Sequence, residues 1–127
     1  MTGVQLTTEI NSITGEIISA CFEVSNTLGA GFLENVYSRA LAHELCMRNV
    51  PYTREVSVDV EYKEVCVGRY VADLIVCDQV VVELKAISNL SSTHVGQVLN
   101  YLRATNLKWG LLINFGTPKI QIRRVVI

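Results

Sequence analysis

Two apolar runs dominate the middle of the chain, residues 65–77 and 80–87, and each has a carboxylate inside it. The first contains Asp73 within Tyr70-Val71-Ala72-Asp73-Leu74-Ile75-Val76-Cys77. The second is Val80-Val81-Val82-Glu83-Leu84-Lys85-Ala86-Ile87. Both read as buried β-strands, and Cys77-Asp78-Gln79 between them reads as a tight hairpin. Residues two apart on a strand share a face, so Glu83 and Lys85 point the same way with Val81, while Val82 and Leu84 face the other side. Pairing across the hairpin brings Asp73 opposite Glu83, give or take one residue. The sheet must therefore accommodate two acids and a lysine on one surface.

Lone carboxylates are costly among apolar neighbours. Two like charges about 4 Å apart repel by roughly 4 kcal/mol at an effective dielectric near 20. One lysine offsets one acid, and the remainder needs a second cation or a proton. Donors that are all oxygen favour a hard ion such as Mg²⁺, which binds through one or two carboxylates together with waters and a phosphate. The plainer alternative is an acid–lysine pair at the exposed end of a strand.

Helical patterns flank the strands and carry further polar groups. Ile10, Ile13, Ile17, Cys21, Val24 and Leu28 recur at helical spacing, with Glu9, Glu16 and Glu23 on the opposite face. Thr7 or Thr8 is the expected N-cap and Gly29 the expected stop. A second helix is predicted over about residues 33–48, with Val36, Tyr37, Ala40, Leu41 and Leu45 inward, and Asn49-Val50-Pro51 ends it. Glu34, Tyr37, Leu41 and Leu45 form one stripe, which puts Glu34 on or at the edge of the face meeting the sheet. By itself Glu34 also suits a first-turn acid complementing the helix dipole.

A third helix is expected over about residues 93–104, capped by Ser91, Ser92 or Thr93. Gln97 and Tyr101 stand four residues apart on it, with His94 one turn earlier. Such a ridge could reach a phosphate or a metal-bound water, or could simply border the core made by Val98, Leu99 and Leu102. Strands are expected at residues 56–62, where Val56, Val58, Val60 and Tyr62 alternate with polar residues, and at 109–115 and 120–127, with Gly116-Thr117-Pro118 as the last turn. The order α-α-β-β-β-α-β-β indicates an α/β (α+β) fold around one central mixed β-sheet flanked by helices. Glu34 and the Gln97/Tyr101 ridge, on separate helices, shift the balance from a salt bridge towards a metal site.

With 127 residues, half of them apolar and 18% charged, the chain is expected to fold as one domain, residues 1–127, with a core that needs no staples. No apolar run reaches the roughly 18–20 residues that cross a membrane. Met1-Thr2-Gly3-Val4-Gln5 lacks the pattern of a secretory signal, so the expected compartment is cytoplasmic. Cys21, Cys46, Cys66 and Cys77 have no C-x-x-C spacing and sit among apolar neighbours, which suggests buried free thiols rather than zinc ligands. A net charge of −1 attracts no polyanion as a whole. Phosphate contacts must come from local groups such as Arg54, Arg69, Arg103, Lys108, Lys119, Arg123 and Arg124.

Taken together these elements resemble the PD-(D/E)XK nuclease superfamily, and within it the small group named for a G-x-x-E-x-x-Y motif, here Gly31, Glu34 and Tyr37. Asp73 followed by Glu83-x-Lys85 resembles the superfamily's metal-binding core. Gln97-x-x-x-Tyr101 is similar to a motif of its RecB-like branch, and Gly110-Leu111-Leu112-Ile113-Asn114-Phe115-Gly116 is typical of the group. Ala72 stands where a proline often precedes the aspartate; that proline is not a ligand. The resemblance implies a restriction-endonuclease-like core and a Mg²⁺-dependent nuclease, with Mn²⁺ able to substitute, hydrolysing phosphodiester bonds in nucleic acid, DNA ahead of RNA. It implies Asp73, Glu83 and Glu34 as metal ligands, with the Leu84 carbonyl a further one. Lys85 would hold the attacking water or steady the transition state, and Gln97 and Tyr101, with His94 a weaker candidate, would orient substrate or the hydrated metal. A homodimer would enlarge the surface for gripping nucleic acid. The alternative is a non-catalytic nucleic-acid-binding or adaptor module on the same scaffold.

Overall fold

The computed structural model describes residues 3–127, with side chains from Glu9 onward. Its elements are α1 (Gly3–Leu28), α2 (Glu34–Met47), β1 (Tyr52–Tyr62), β2 (Val65–Val76), β3 (Val80–Lys85), α3 (Ser92–Thr105), β4 (Trp109–Asn114) and β5 (Gln121–Val126). This is the order expected from the sequence, in a restriction-endonuclease-like α+β fold. Because α1 begins at Gly3, the cap expected at Thr7 or Thr8 falls within the helix, and those side chains lie outside the described residues.

The five strands lie in the order β1-β2-β3-β4-β5. All neighbours are antiparallel except β3 and β4, which run parallel and are joined through α3. Two cores result. On one face α1 and α2 cover Leu74, Val76, Val80, Val82, Leu84, Leu111 and Ile113. On the other, α3 covers Val58, Ala72, Val81, Leu112 and Val125 through Val98, Tyr101 and Leu102. The central strand β3 is apolar on both faces, and Glu83 is its one acid. The expected inward stripe of α2 needs one correction. Tyr37, Leu41 and Leu45 are buried, but Val36 is 38% exposed while Ser38 and Ala42 turn in. Val36 lies about 140° round the helix from Leu41, too far to share its face.

The β2–β3 hairpin turns at Cys77 (φ 53°) and Asp78 (φ 56°), with Gln79 N–H donating to the Val76 carbonyl at 3.0 Å. Two consecutive positive φ values define the type I′ turn that matches strand twist. Gln79 adds a third residue to the connection, and beyond it the register is Val76↔Val80, Ile75↔Val81 and Leu74↔Val82. One step further, Asp73 stands across from Glu83.

There the strands part. β3 ends at Lys85, whereas the N-terminal half of β2 pairs with β1 alone as a projecting two-stranded ribbon. The pairing of β1 with β2 skips Glu55 and Asp73, and Glu55 has φ 52°. Across this kink the faces exchange: Leu74 belongs to the α1/α2 core and Ala72 to the α3 core. Kinks of this kind re-aim side chains beside functional sites.

The ribbon also corrects the reading of the thiols. Cys66 lies on it and Cys46 on the outer side of α2, and both are exposed, while Cys21 is buried. The arginines named above are spread over several elements: Arg69 pairs with Asp59 on the ribbon at 2.7 Å, and Arg124 of β5 donates to Thr14 of α1.

Gly116 passes so close to the chain that a Cβ would overlap the backbone of Ile87. Gly116→Ala is expected to cost roughly 1–3 kcal/mol by overpacking, seen as a lower urea midpoint at unchanged m value. Gly15→Ala, at an open position on α1, should instead add about 0.5–1 kcal/mol through helix propensity.

Candidate active site

Four elements contribute to the place where β2 leaves β3: the two strands, α2 and α3. Across the fork the two acids exchange hydrogen bonds with the opposite strand: Asp73 N–H donates to Glu83 Oε1 at 3.2 Å, and Leu84 N–H donates to Asp73 Oδ2 at 2.8 Å. These bonds replace the ladder bonds lost at the kink, and they hold the carboxylates against each other. Glu83 is only 4% exposed, and its carboxyl is pushed up to about 8. Burial is the first cause and the Asp73 charge the second; Lys85 and the Asp73 N–H act in the opposite direction more weakly.

α2 contributes Glu34, its first residue, at the exposed rim. The Glu34 carboxyl is also raised, by burial first and then by the charge of Asp73, with Lys85 opposing. The charges of Asp73 and Lys85 both act on Glu34, which stands at the rim and not in a tight cluster with Asp73 and Glu83. Lys85, half-buried at the end of β3, forms no ion pair within 4.0 Å among the described residues. Its amine is left free to face a ligand.

α3 supplies the fourth side. Gln97 Nε2 donates to the Tyr101 hydroxyl at 3.2 Å. Tyr101 is 5% exposed and its phenol is pushed up to about 12, by burial and then by the Glu83 charge. The ridge of Gln97 and Tyr101 thus closes over Glu83. His94, one turn earlier, lines the same groove as Gln97 and Tyr101, while its Nδ1 accepts the Ser91 N–H at 3.0 Å as a helix-capping group.

Sequence reading passed over Tyr70. It is 53% exposed on the ribbon, three residues before Asp73, and its ring centroid lies 6.0 Å from that of Tyr101. As one residue of an apolar strand run it gave no signal. Its exposure follows from the ribbon's projection past β3. Tyr70 and Tyr101 line a groove of about 1490 Å³ between α3 and β1. The groove's acids are Asp59, Glu61 and Asp78, and Arg103 is its one arginine.

As arranged, no three acidic, histidine or cysteine side chains among the described residues are gathered tightly enough to enclose an ion. Asp73 and Glu83 each engage an oxygen with a main-chain N–H instead. The chemistry of the set nevertheless suits a hard divalent cation. Its donors are all oxygens, three acids stand with one lysine, and a cation beside Glu83 would relieve the Asp73 repulsion that, after burial, raises its carboxyl.

The raised Glu83 group sets a pH dependence. Between the ordinary carboxyl value of 4.5 and about 8, the folded protein binds a proton that the unfolded chain releases. Stability should therefore fall as pH rises through that window and level off above it. Glu34 contributes with the same sign. Thermal melts in EDTA from pH 5 to 9 should show the decline, and Glu83→Gln should flatten most of it. An equally steep decline in the variant would assign the effect elsewhere.

Among curated proteins none matches this chain. The crystal structure of the protein SSO0001 superposes with a TM-score of 0.55 at 20% identity, covering 94% of this chain and 60% of that one. At that identity the similarity speaks for the fold, and the chain spans about 60% of the relative's length. The family model of the PD-(D/E)XK nuclease superfamily, whose nucleases generally use divalent metals, matches residues 11–125, from α1 to β5. The chain belongs to the PD-(D/E)XK nuclease superfamily.

Proposed function

We propose that this protein is a divalent-metal-dependent nuclease, of the G-x-x-E-x-x-Y group with a RecB-like Q-x-x-x-Y ridge. The observation that carries the reading is the opposition of Asp73 and Glu83 across the fork, where burial and then the Asp73 charge raise the Glu83 carboxyl. A salt bridge would not need this arrangement, since Lys85 stays out of ion-pairing distance of both acids.

In this reading Asp73 and Glu83 hold Mg²⁺, or Mn²⁺ in its place, with Glu34 as a third, direct or water-mediated ligand and the Leu84 carbonyl as an additional donor. The ion supplies Lewis acidity to the phosphate and lowers the pKa of bound water. Lys85 holds the attacking water or balances charge growing on the phosphoryl oxygens. Gln97 fixes the Tyr101 hydroxyl, and together they orient the substrate. Tyr70 offers a half-exposed ring for a base or sugar beside the scissile bond.

The electrostatics favour this reading over a non-catalytic nucleic-acid-binding module. The site brings Asp73, Glu83 and Glu34 against Lys85, and the adjoining groove adds Glu61 and Asp78, with Asp59 paired to Arg69, against Arg103. Such a surface repels a polyanion, and adding divalent charge reverses that locally. DNA is proposed ahead of RNA on the RecB-like resemblance. A homodimer is proposed because so small a chain has little surface with which to hold a duplex.

The test is cleavage of single- and double-stranded DNA and RNA with Mg²⁺ or Mn²⁺, against an EDTA control. Wild-type protein should cut at least one form and stop in EDTA. Asp73→Ala and Lys85→Ala should each lower the rate by on the order of 10²–10³ or more, with unchanged circular dichroism. Failure of the wild type on every form would remove the catalytic claim. Calorimetric titration with Mn²⁺ unaffected by Asp73→Ala would favour the adaptor.

A further inference from the structure

We infer that Tyr37 is a positioning residue: with Phe115 it forms a clasp that sets where Glu34 stands relative to Lys85. The inference rests on the nuclease reading for what Glu34 does, but the clasp itself is a matter of contacts.

The loop of residues 29–33 joins α1 to α2 and contains two glycines in the left-handed region, Gly29 at φ 72° and Gly31 at φ 112°. Glycine-rich backbone has much freedom to lose. The start of α2 also lacks its usual fastening, since the N-cap residue is Leu33, which makes no side-chain cap hydrogen bond and is 79% exposed. The Tyr37 hydroxyl does that work from one turn inside the helix. It donates to the Gly29 carbonyl at 2.5 Å and accepts the Phe32 N–H at 3.1 Å, so one buried oxygen closes both ends of the loop.

The ring completes the chain of contacts. It stacks on Phe115 with centroids 4.7 Å apart and planes 5° from parallel, and Phe32 meets its edge at 6.2 Å. Phe115 in turn donates its N–H to the Lys85 carbonyl at 2.8 Å. Glu34, one turn before Tyr37 on α2, is thereby tied through Tyr37 and Phe115 to the backbone of Lys85. A purely space-filling role would be met by the ring alone. The hydroxyl, with both partners in the loop that delivers Glu34, is what distinguishes positioning from packing.

Tyr37→Phe keeps the ring and removes the two loop bonds. Leu41→Val serves as the control, because it loosens the same buried face of α2 without touching the loop. Two readouts apply: hydrogen exchange of the Phe32 amide by NMR, and Mn²⁺ affinity by calorimetry. In Tyr37→Phe, Phe32 protection should drop tenfold or more and Mn²⁺ binding should weaken by about tenfold, with β4 amides unchanged. Leu41→Val should move neither. In cleavage assays kcat should fall in Tyr37→Phe while KM stays within about twofold. Unchanged Phe32 exchange in Tyr37→Phe overturns the clasp whatever the activity, as does an equal loss of Mn²⁺ affinity in Leu41→Val. If the wild-type protein binds no divalent ion and cuts nothing, the nuclease reading fails, and the exchange data alone decide the clasp.

Discussion

Two carboxylates held face to face at a fork in the sheet are the constraint around which the rest of this structure is arranged. Burying Glu83 next to Asp73 opposes folding twice, through lost hydration and through repulsion. The fold tolerates this because the acids take main-chain N–H groups as partners at the point where ladder pairing fails. The kink at Asp73 is thus coupled to the acids. With regular pairing, those two N–H groups would be committed to the ladder, and the ribbon would not swing off β3 to open the site. The positive φ of Glu55 directly across the kink marks where the backbone absorbs the change.

β4 connects this fork to everything else. It lies beside β3 in parallel, so its C-terminal end reaches the same end of the sheet as Lys85. Gly110 leaves room for Val98, which seats α3 close to the sheet beneath Gln97 and Tyr101. Asn114, fully buried, has its amide committed at both ends: Oδ1 accepts the N–H groups of Ile87 and Gly116, and Nδ2 donates to Ile87 O and Gln121 Oε1. Such a satisfied polar network specifies a single geometry, and here it pins the loop that leaves Lys85. Phe115 reaches the opposite way, to Tyr37 and α2. Gly110 and Asn114 of β4, with Phe115 just past its end, thereby position the flanking groups around β3.

Much of this was legible in the chain because it depends on local chemistry. Two apolar strands joined by the short turn Cys77-Asp78-Gln79 put Asp73 across from Glu83 to within a residue, and the pairing of Val76 with Val80 selects that alignment. The stripe Tyr37, Leu41 and Leu45 follows from helical period, and so does the alternation of Val81 with Val82 on β3. What the sequence could not convey depends on where elements end relative to one another. That the ribbon outruns β3 is a property of the sheet, and it leaves Tyr70 and Cys66 in solvent although both sit in strand-like runs. Helical spacing puts His94 beside Gln97 along the same groove, but spacing carries no hint that its Nδ1 is engaged by Ser91. Val36 was assigned inward because apolar character outvoted its angle on the helix. Periodicity fixes faces, and only the assembled sheet fixes exposure.

The charge balance of the site bears on how such a small protein could hold a polyanion. Its arginines are dispersed, and three of them are already paired with acids, Arg69 with Asp59, Arg48 with Glu44 and Glu16, and Arg54 with Glu55. No stripe of cations runs towards the fork to supply the counterion-release affinity on which nonspecific binders depend. Attraction must then be concentrated where charge is created on demand. A divalent ion at Asp73 and Glu83 would displace the proton that Glu83 carries, turn the most repulsive point of the surface into an attractive one, and leave the unpaired Lys85 beside it. On the proposed reading, affinity for substrate and capacity for chemistry would rise together with occupancy of one site, and a chain with a net charge of −1 would need no broad basic surface to act on a phosphodiester.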